Sequence, residues 1–178
     1  MPILVDQKFQ THKMKKVALI FAVILFASCQ KEKIAYVDNV KLFEGINEKE
    51  ALDKKYETKQ AQFTKKSDSI AQLYQFEAQR LQGELQRLSQ KEQNEKIEEY
   101  TKRRDLISRQ LEQELQLIQA QGKEEMDSLV QKVRRKIEKY GEDNGYSYIL
   151  SGGEGGSVLY GKEAMDITEQ VLEVINQE

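Results

Sequence analysis

Histidine and cysteine, the residues most often recruited for metal binding and nucleophilic catalysis, occur once each in this 178-residue chain, at His12 and Cys29. A zinc cluster, a disulfide framework, a Ser-His-Asp triad and a Cys-His pair all need more of them, or need them beside the right partners. Carboxylates are plentiful, with 30 Asp and Glu, and a pair of them can act as general acid and base. Such a pair needs a concave site that excludes water. The chain is 33% charged and 39% hydrophobic, whereas a packed domain has about 25% and 45–50%. That balance argues against a deep dry pocket. Gly152-Gly153-Glu154-Gly155-Gly156 is rich in glycine, but a strand pattern follows it. It is therefore not a G-x-G-x-x-G that opens a helix and cradles phosphate. No catalytic residue, metal site or cofactor is expected, and an enzyme is the least favoured class.

The chemistry that Cys29 does support is acylation. Lys13, Lys15 and Lys16 precede an unbroken apolar run from Val17 to Ala27. The run is shorter than the roughly 20 residues that span a bilayer, and it fits the apolar segment of an export signal. Met14 stands directly before Lys15-Lys16 and offers an alternative start. The run ends Leu25-Phe26-Ala27-Ser28-Cys29, which resembles a bacterial lipobox, with Phe26 where Leu is usual. Residues 1–28 are thus read as a lipoprotein-type signal peptide and Cys29 as the lipidated N-terminus of the exported chain. The alternative is an ordinary signal cut near Ser28 with an incidental cysteine. Each buried methylene of an acyl chain would add about 0.8 kcal/mol of membrane affinity. Removing Lys8, Lys13, Lys15, Lys16 and Asp6 with the signal leaves 24 basic and 29 acidic side chains, a balance of −5. An acidic exported chain is a poor nucleic-acid ligand.

What remains divides by glycine. Seven of the ten glycines lie between Gly141 and Gly161, and only Gly83 and Gly122 interrupt the stretch from Asn47 to Tyr140. Gln, Glu, Lys, Arg, Leu and Ala dominate that middle, and all favour helix. Two apolar stripes run through it with mixed steps of three and four, as one face of a helix requires. The first is Leu52, Tyr56, Phe63, Ile70, Tyr74, Ala78, Leu81, Leu85 and Leu88, with Lys59 and Ser67 filling gaps. The second runs from Ile97 and Tyr100 through Arg104, Ile107, Leu111, Leu115, Ile118, Gly122 and Met126 to Leu129, Val133, Ile137 and Tyr140. Between them Ser89-Gln90-Lys91-Glu92 is a capping box, which starts a new helix. Folding back there would pair residues whose numbers sum to about 178. Tyr56 would face Gly122, Phe63 Leu115, and Tyr74 the guanidinium of Arg104. Residues 47–141 are therefore predicted to form an antiparallel coiled-coil hairpin, each leg reaching on the order of 60 Å. A passive spacer has the same periodicity.

The flanks read as a small core. Lys33-Ile34-Ala35-Tyr36-Val37-Asp38 and Tyr146-Ser147-Tyr148-Ile149-Leu150-Ser151 are strand patterns. Ser157-Val158-Leu159-Tyr160 is a third, predicted to pair with the second as a hairpin. Asp166-Ile167-Thr168-Glu169 is a capping box before the stripe Ile167, Val171, Leu172, Val174, Ile175. Residues 29–46 supply a strand and connector, and residues 142–178 the β-hairpin and last helix. The fold class is α+β, mostly α, with the helical hairpin inserted into the β core. A core this small is marginal alone, and its first strand is apolar on both faces. Self-association is expected, through Ile34, Tyr36, Tyr148, Leu150, Val158 and Tyr160. The alternative is a monomer capped by its own helices.

These elements, in this order, resemble the Skp/OmpH family of periplasmic chaperones. The resemblance rests on Lys33–Asp38, on Gly145-Tyr146-Ser147-Tyr148-Ile149-Leu150, on Val158-Leu159-Tyr160, and on Asp166-Ile167-Thr168 with Val171 and Asn176. It implies a jellyfish-like homotrimer, with a central β core and three helical tentacles around a cavity. It implies ATP-independent holding of unfolded outer-membrane proteins in the periplasm of a Gram-negative envelope. Similar proteins are basic, whereas the exported chain here is acidic, and only residues 47–141, with 20 basic and 18 acidic side chains, keep a slight positive bias. They also lack the lipobox, so tethering to the membrane would be particular to this branch. Apolar residues off the two stripes, Leu73, Phe76, Leu106 and Leu117, are the candidate client contacts; packing against a neighbouring helix is their alternative use. A structural envelope lipoprotein or a single-partner adaptor would share the anchor and the coiled coil.

Overall fold

A computed structural model describes residues 32–177, so the signal segment and Cys29 lie outside the described residues. The order is β1 (Ile34–Asp38), α1 (Asn39–Gly45), α2 (Asn47–Leu85), α3 (Gln90–Asp143), β2 (Tyr148–Gly152), a 3-10 turn (Glu163–Met165) and α4 (Thr168–Asn176). Among the described residues no helix is long and apolar enough to cross a membrane.

β1 and β2 pair in parallel, with Ile34 opposite Tyr148 and Tyr36 opposite Leu150. Parallel neighbours need a long crossover, and α1, α2 and α3 supply it. The predicted third strand is a correction. The sheet has two strands, and residues 157–160 touch β2 through one bond, Val158 N–H to the Ser151 carbonyl at 3.0 Å. Leu159 is 99% exposed and Tyr160 85% exposed. Among the described residues no second ladder bond reaches them. The free edge of β1 is occupied instead by the residues at the start of α4. Ile167 N–H donates to the Tyr36 carbonyl at 3.0 Å, and Asp38 N–H donates to Thr168 Oγ1 at 2.8 Å.

The core lies where the ends of the chain meet the base of α3. Ala35, Val37, Leu42, Ile46, Leu129, Val133, Ile167, Val171 and Ile175 are its buried apolar residues. They come from β1, α1, α3 and α4, and from the residues joining these elements. Thr168 is the one buried polar side chain among the described residues, and it is satisfied by Asp38 N–H and by the Asp166 carboxylate. The capping box expected at Asp166 does not form, and the helix starts from Ile167 with no side-chain cap. Asp166 Oδ1 accepts from Thr168 N–H at 2.9 Å, but the Asp166 N–H goes to the Glu163 carbonyl of the preceding 3-10 turn.

Beyond the base, α2 and α3 lie against each other. Their contacts pair Glu48 with Lys132, Lys55 with Glu125, Lys66 with Glu114 and Glu77 with Arg103. Numbers rise on one helix as they fall on the other, close to the expected sum. A Cβ on Gly122 would stand 3.1 Å from Tyr56 Cδ1, so the glycine makes room for the ring. The turn also forms as read: Glu92 accepts the Ser89 N–H at 2.9 Å and closes the capping box. Tyr74 does not receive Arg104. Its ring meets Tyr100 edge-on, 5.9 Å between centroids, and Tyr100 O–H donates to the Tyr74 carbonyl at 3.0 Å. Arg104 is exposed and pairs with Asp105 at 3.3 Å. Two rings withdraw more apolar surface from water than a ring and a hydrated cation. At the next turn Ala78 is exposed and Glu77 takes the half-buried place, held by Arg103.

Candidate functional site

The helical pair has two unequal sides. At about 100° per residue, the residues flanking each stripe can be assigned to one side or the other. The cross-helix ion pairs show which flank of α2 adjoins which flank of α3. Lys66 on α2 meets Glu114 on α3, and Glu77 meets Arg103. Leu73 lies two turns beyond Lys66, and Phe76 immediately precedes Glu77. Leu106 and Leu117 lie three residues beyond Arg103 and Glu114, and neighbours three apart share a face. The four candidate client residues therefore project on the ion-paired side, whereas Val130, 43% exposed and also off the stripe, lies on the other side near the base. Leu73 and Leu106 also stand at the same level, because their numbers satisfy the same sum. All four are at least half exposed, from 50% for Leu106 to 65% for Phe76. The opposite side carries Gln60, Thr64, Gln75 and Gln82 from α2, with Ser108, Glu112 and Gln119 from α3.

Two positions set the electrostatics of the ion-paired side. Glu125 accepts from Lys55 Nζ at 2.6 Å and from Tyr56 O–H at 2.8 Å. The bond from Lys55, then that from Tyr56, lowers the Glu125 carboxyl below its ordinary value. Burial first and the Glu125 bond second push the Tyr56 phenol up. Lys55 and Glu125 are nearly half exposed. Water screens pairs of that kind. They fix register more than they stabilise.

A second apolar surface lies on the sheet. Successive residues of a strand point to opposite faces. Ala35 and Val37 turn inward and are buried. Ile34, Tyr148 and Leu150 turn outward and are exposed, with Tyr36 half-buried among them. Of the other residues expected to hold copies together, Val158 is half-buried and Tyr160 is exposed. These positions form one exposed apolar surface beside the base, separate from the four on the helical pair. Cys29, the expected lipid site, lies outside the described residues.

Among the described residues no group of His, Cys, Asp and Glu could hold a metal ion. The surface depressions are shallow and shaped by helix exteriors. One, on the outer face of α2, is lined by residues such as Glu57, Thr64 and Asp68 and brings no nucleophile to a base.

Comparison with known proteins agrees with the architecture. The model of the outer membrane protein (OmpH-like) family matches residues 33–175, from the start of β1 to the last turn of α4. No curated protein matches the chain. The match covers every element described above, and the chain accordingly belongs to the OmpH-like family, whose members are periplasmic chaperones of outer-membrane proteins.

Proposed function

We propose that this chain is an ATP-independent holdase. Three copies associate through the outward face of the sheet, and their helical pairs, acting as antiparallel coiled-coil arms, enclose unfolded outer-membrane proteins. Cys29 is acylated and tethers the assembly to a membrane of a Gram-negative envelope. In this reading residues 1–28 are the removed signal, 47–141 the arm, and 29–46 with 142–178 the shared core.

The observation that carries the reading is the placement of Leu73, Phe76, Leu106 and Leu117 on one side of the arm, level with Arg103 and Lys66. An unfolded barrel strand exposes alternating apolar groups and unpaired edges. A wall of separated apolar side chains among mobile charges meets it through many weak contacts and fixes no single conformation. Release then needs no chemical step, because the inserted barrel no longer presents those groups. Self-association follows from the same physics at the base. Ile34, Tyr148, Leu150 and Tyr160 form an apolar surface that a core of this size does not cover alone, and closed symmetric assembly is the usual way to cover one.

Light scattering from an aggregating outer-membrane barrel protein, with the mass of the chaperone measured in parallel, tests both parts. The expected result is suppression by the parent chain. Phe76→Ser with Leu106→Ser should retain the mass but lose at least half of the suppression. Tyr148→Asp with Leu150→Asp should lower the mass to a single copy. Unchanged suppression by the arm variant rejects the client face, and an unchanged mass in the core variant rejects the oligomer face.

A further inference from the structure

At the root of the arm two helices end with backbone groups that their own turns do not satisfy: the last carbonyls of α1 and the first N–H groups of α2. Only Ile46 separates them, extended at φ −76° and ψ 117°, and it gives α2 no side-chain cap. One side chain from the far end of the chain serves both helices. Asn176 donates its amide N–H to the Gly45 carbonyl at 2.9 Å and accepts the Asn47 N–H on Oδ1 at 3.0 Å. It thereby straddles Ile46, which is buried. Other contacts hold Asn176 there. Lys136 of α3 donates to the neighbouring Ile175 carbonyl at 2.8 Å. A Cβ on Gly45 would overlap the Leu172 side chain, so that side chain packs directly on the end of α1. α3 passes this level as part of one unbroken helix, Gln90–Asp143. The two legs of the arm are therefore mounted differently. α3 is continuous with the core, whereas α2 leaves it through a joint one residue long.

We infer that Asn176 is the positioning residue of that joint. It latches the ends of α1 and α2 together across Ile46 and so sets the angle and register at which α2 leaves the base. With the latch open, α2 pivots at Ile46 and shears along α3. The last turn of the chain thus governs the geometry of the arm, about 130 residues away in sequence from the joint it closes. The inference concerns how the arm is mounted and stands apart from what the arm binds.

Two readouts on the full chain test it. Hydrogen exchange at Asn47 and Glu50 reports the root of α2, because Asn47 N–H goes to Asn176 and Glu50 N–H makes the helix's first bond, to the Ile46 carbonyl. Zero-length carbodiimide coupling of Lys55 to Glu125 and Lys66 to Glu114 reports register. Asn176→Ala should speed exchange at both amides at least tenfold. It should leave exchange at Leu129 and Val133 unchanged, should spread the Lys55 coupling to the neighbouring Glu124, and should lower the yield of Lys66 with Glu114. Asn176→Asp keeps the acceptor for Asn47 and loses the donor to Gly45. It should restore protection at Asn47 while the coupling stays spread. Unchanged exchange and coupling in Asn176→Ala overturns the latch. Exchange that rises equally at Leu129 and Val133 also overturns it, since that marks general loss of stability. Aggregation suppression is not a readout here, so failure of the latch and failure of the holdase reading are told apart.

Discussion

Along α3 one apolar stripe meets two different surroundings. From Leu129 to Gly141 it packs on α4 and β2, within a core that β1 and α1 complete, and Leu129, Val133 and Gly141 are buried. From Tyr100 to Gly122 it faces α2, and every stripe residue there keeps some contact with water. α2 has no buried residue in its 39 positions. The period of the stripe is the same in both halves. What differs is how many surfaces converge on it. Where three or four elements meet, the stripe becomes a core. Where two meet, it is a zipper that sets register and leaves both outer sides of the pair in solvent. A wall meant to touch changing clients needs the second arrangement, and the base that holds it needs the first.

Truncation at matched positions gives the largest contrast. Leu129 is 3% exposed, and Leu129→Ala should cost about 2–5 kcal/mol in urea denaturation, as for other full core truncations. Leu115→Ala, on the two-surface half, should cost less than half as much. Equal costs would break the comparison.

Acid should separate the halves next. Glu125 and Glu92 have folded values below the ordinary carboxylate value, the first through Lys55 and Tyr56 and the second through Ser89. A depressed carboxyl contributes stability that is present above its unfolded value, near 4.3, and lost as pH falls through the folded one. Both residues lie on the arm, at its turn and along its zipper. Exchange protection between residues 55 and 125 should therefore fall below about pH 4 before protection at Val171 and Ile175 does. A common midpoint would contradict the division.

Gly83 gives the smallest effect. It sits inside α2 with open space where a Cβ would be, and glycine inside a helix costs roughly 0.5–1 kcal/mol relative to alanine. Gly83→Ala should add that much to arm stability in thermal melts and leave the base unchanged. A loss of stability would place an unrecognised neighbour against the tip.

Much of this division was legible in the sequence because helical signals are local. The two stripes, the Ser89 turn and the fit of Tyr56 against Gly122 follow from spacings of three and four and from one reversal. The reading fails where several side chains compete for one place. Arg104 lies on the stripe by number, yet Tyr100 fills the space beside Tyr74. Ala78 fits the pattern by type, yet Glu77 takes its place through its bond to Arg103. It fails again where distant segments meet. Val158, Leu159 and Tyr160 have the composition of a strand but find no ladder in one chain, and the edge of β1 goes to Ile167 and Thr168 instead. Of the candidate client residues, sequence alone identifies Leu73, Phe76, Leu106 and Leu117 as off the stripes. That they share a side depends on which flanks adjoin, and the ion pairs supply that. The role of Asn176 has no local signal, since both groups that it bonds lie at the other end of the chain.

Site-specific photo-crosslinking to an unfolded outer-membrane barrel protein tests the two-sided arm most directly. A photoreactive residue is placed in turn at Phe76 and Leu117 on the ion-paired side, and at Gln75 and Glu112 on the other. The expected result is adducts from Phe76 and Leu117 that disappear once the client folds, with few from Gln75 and Glu112. Equal yields from both sides, or none from either, would contradict the account.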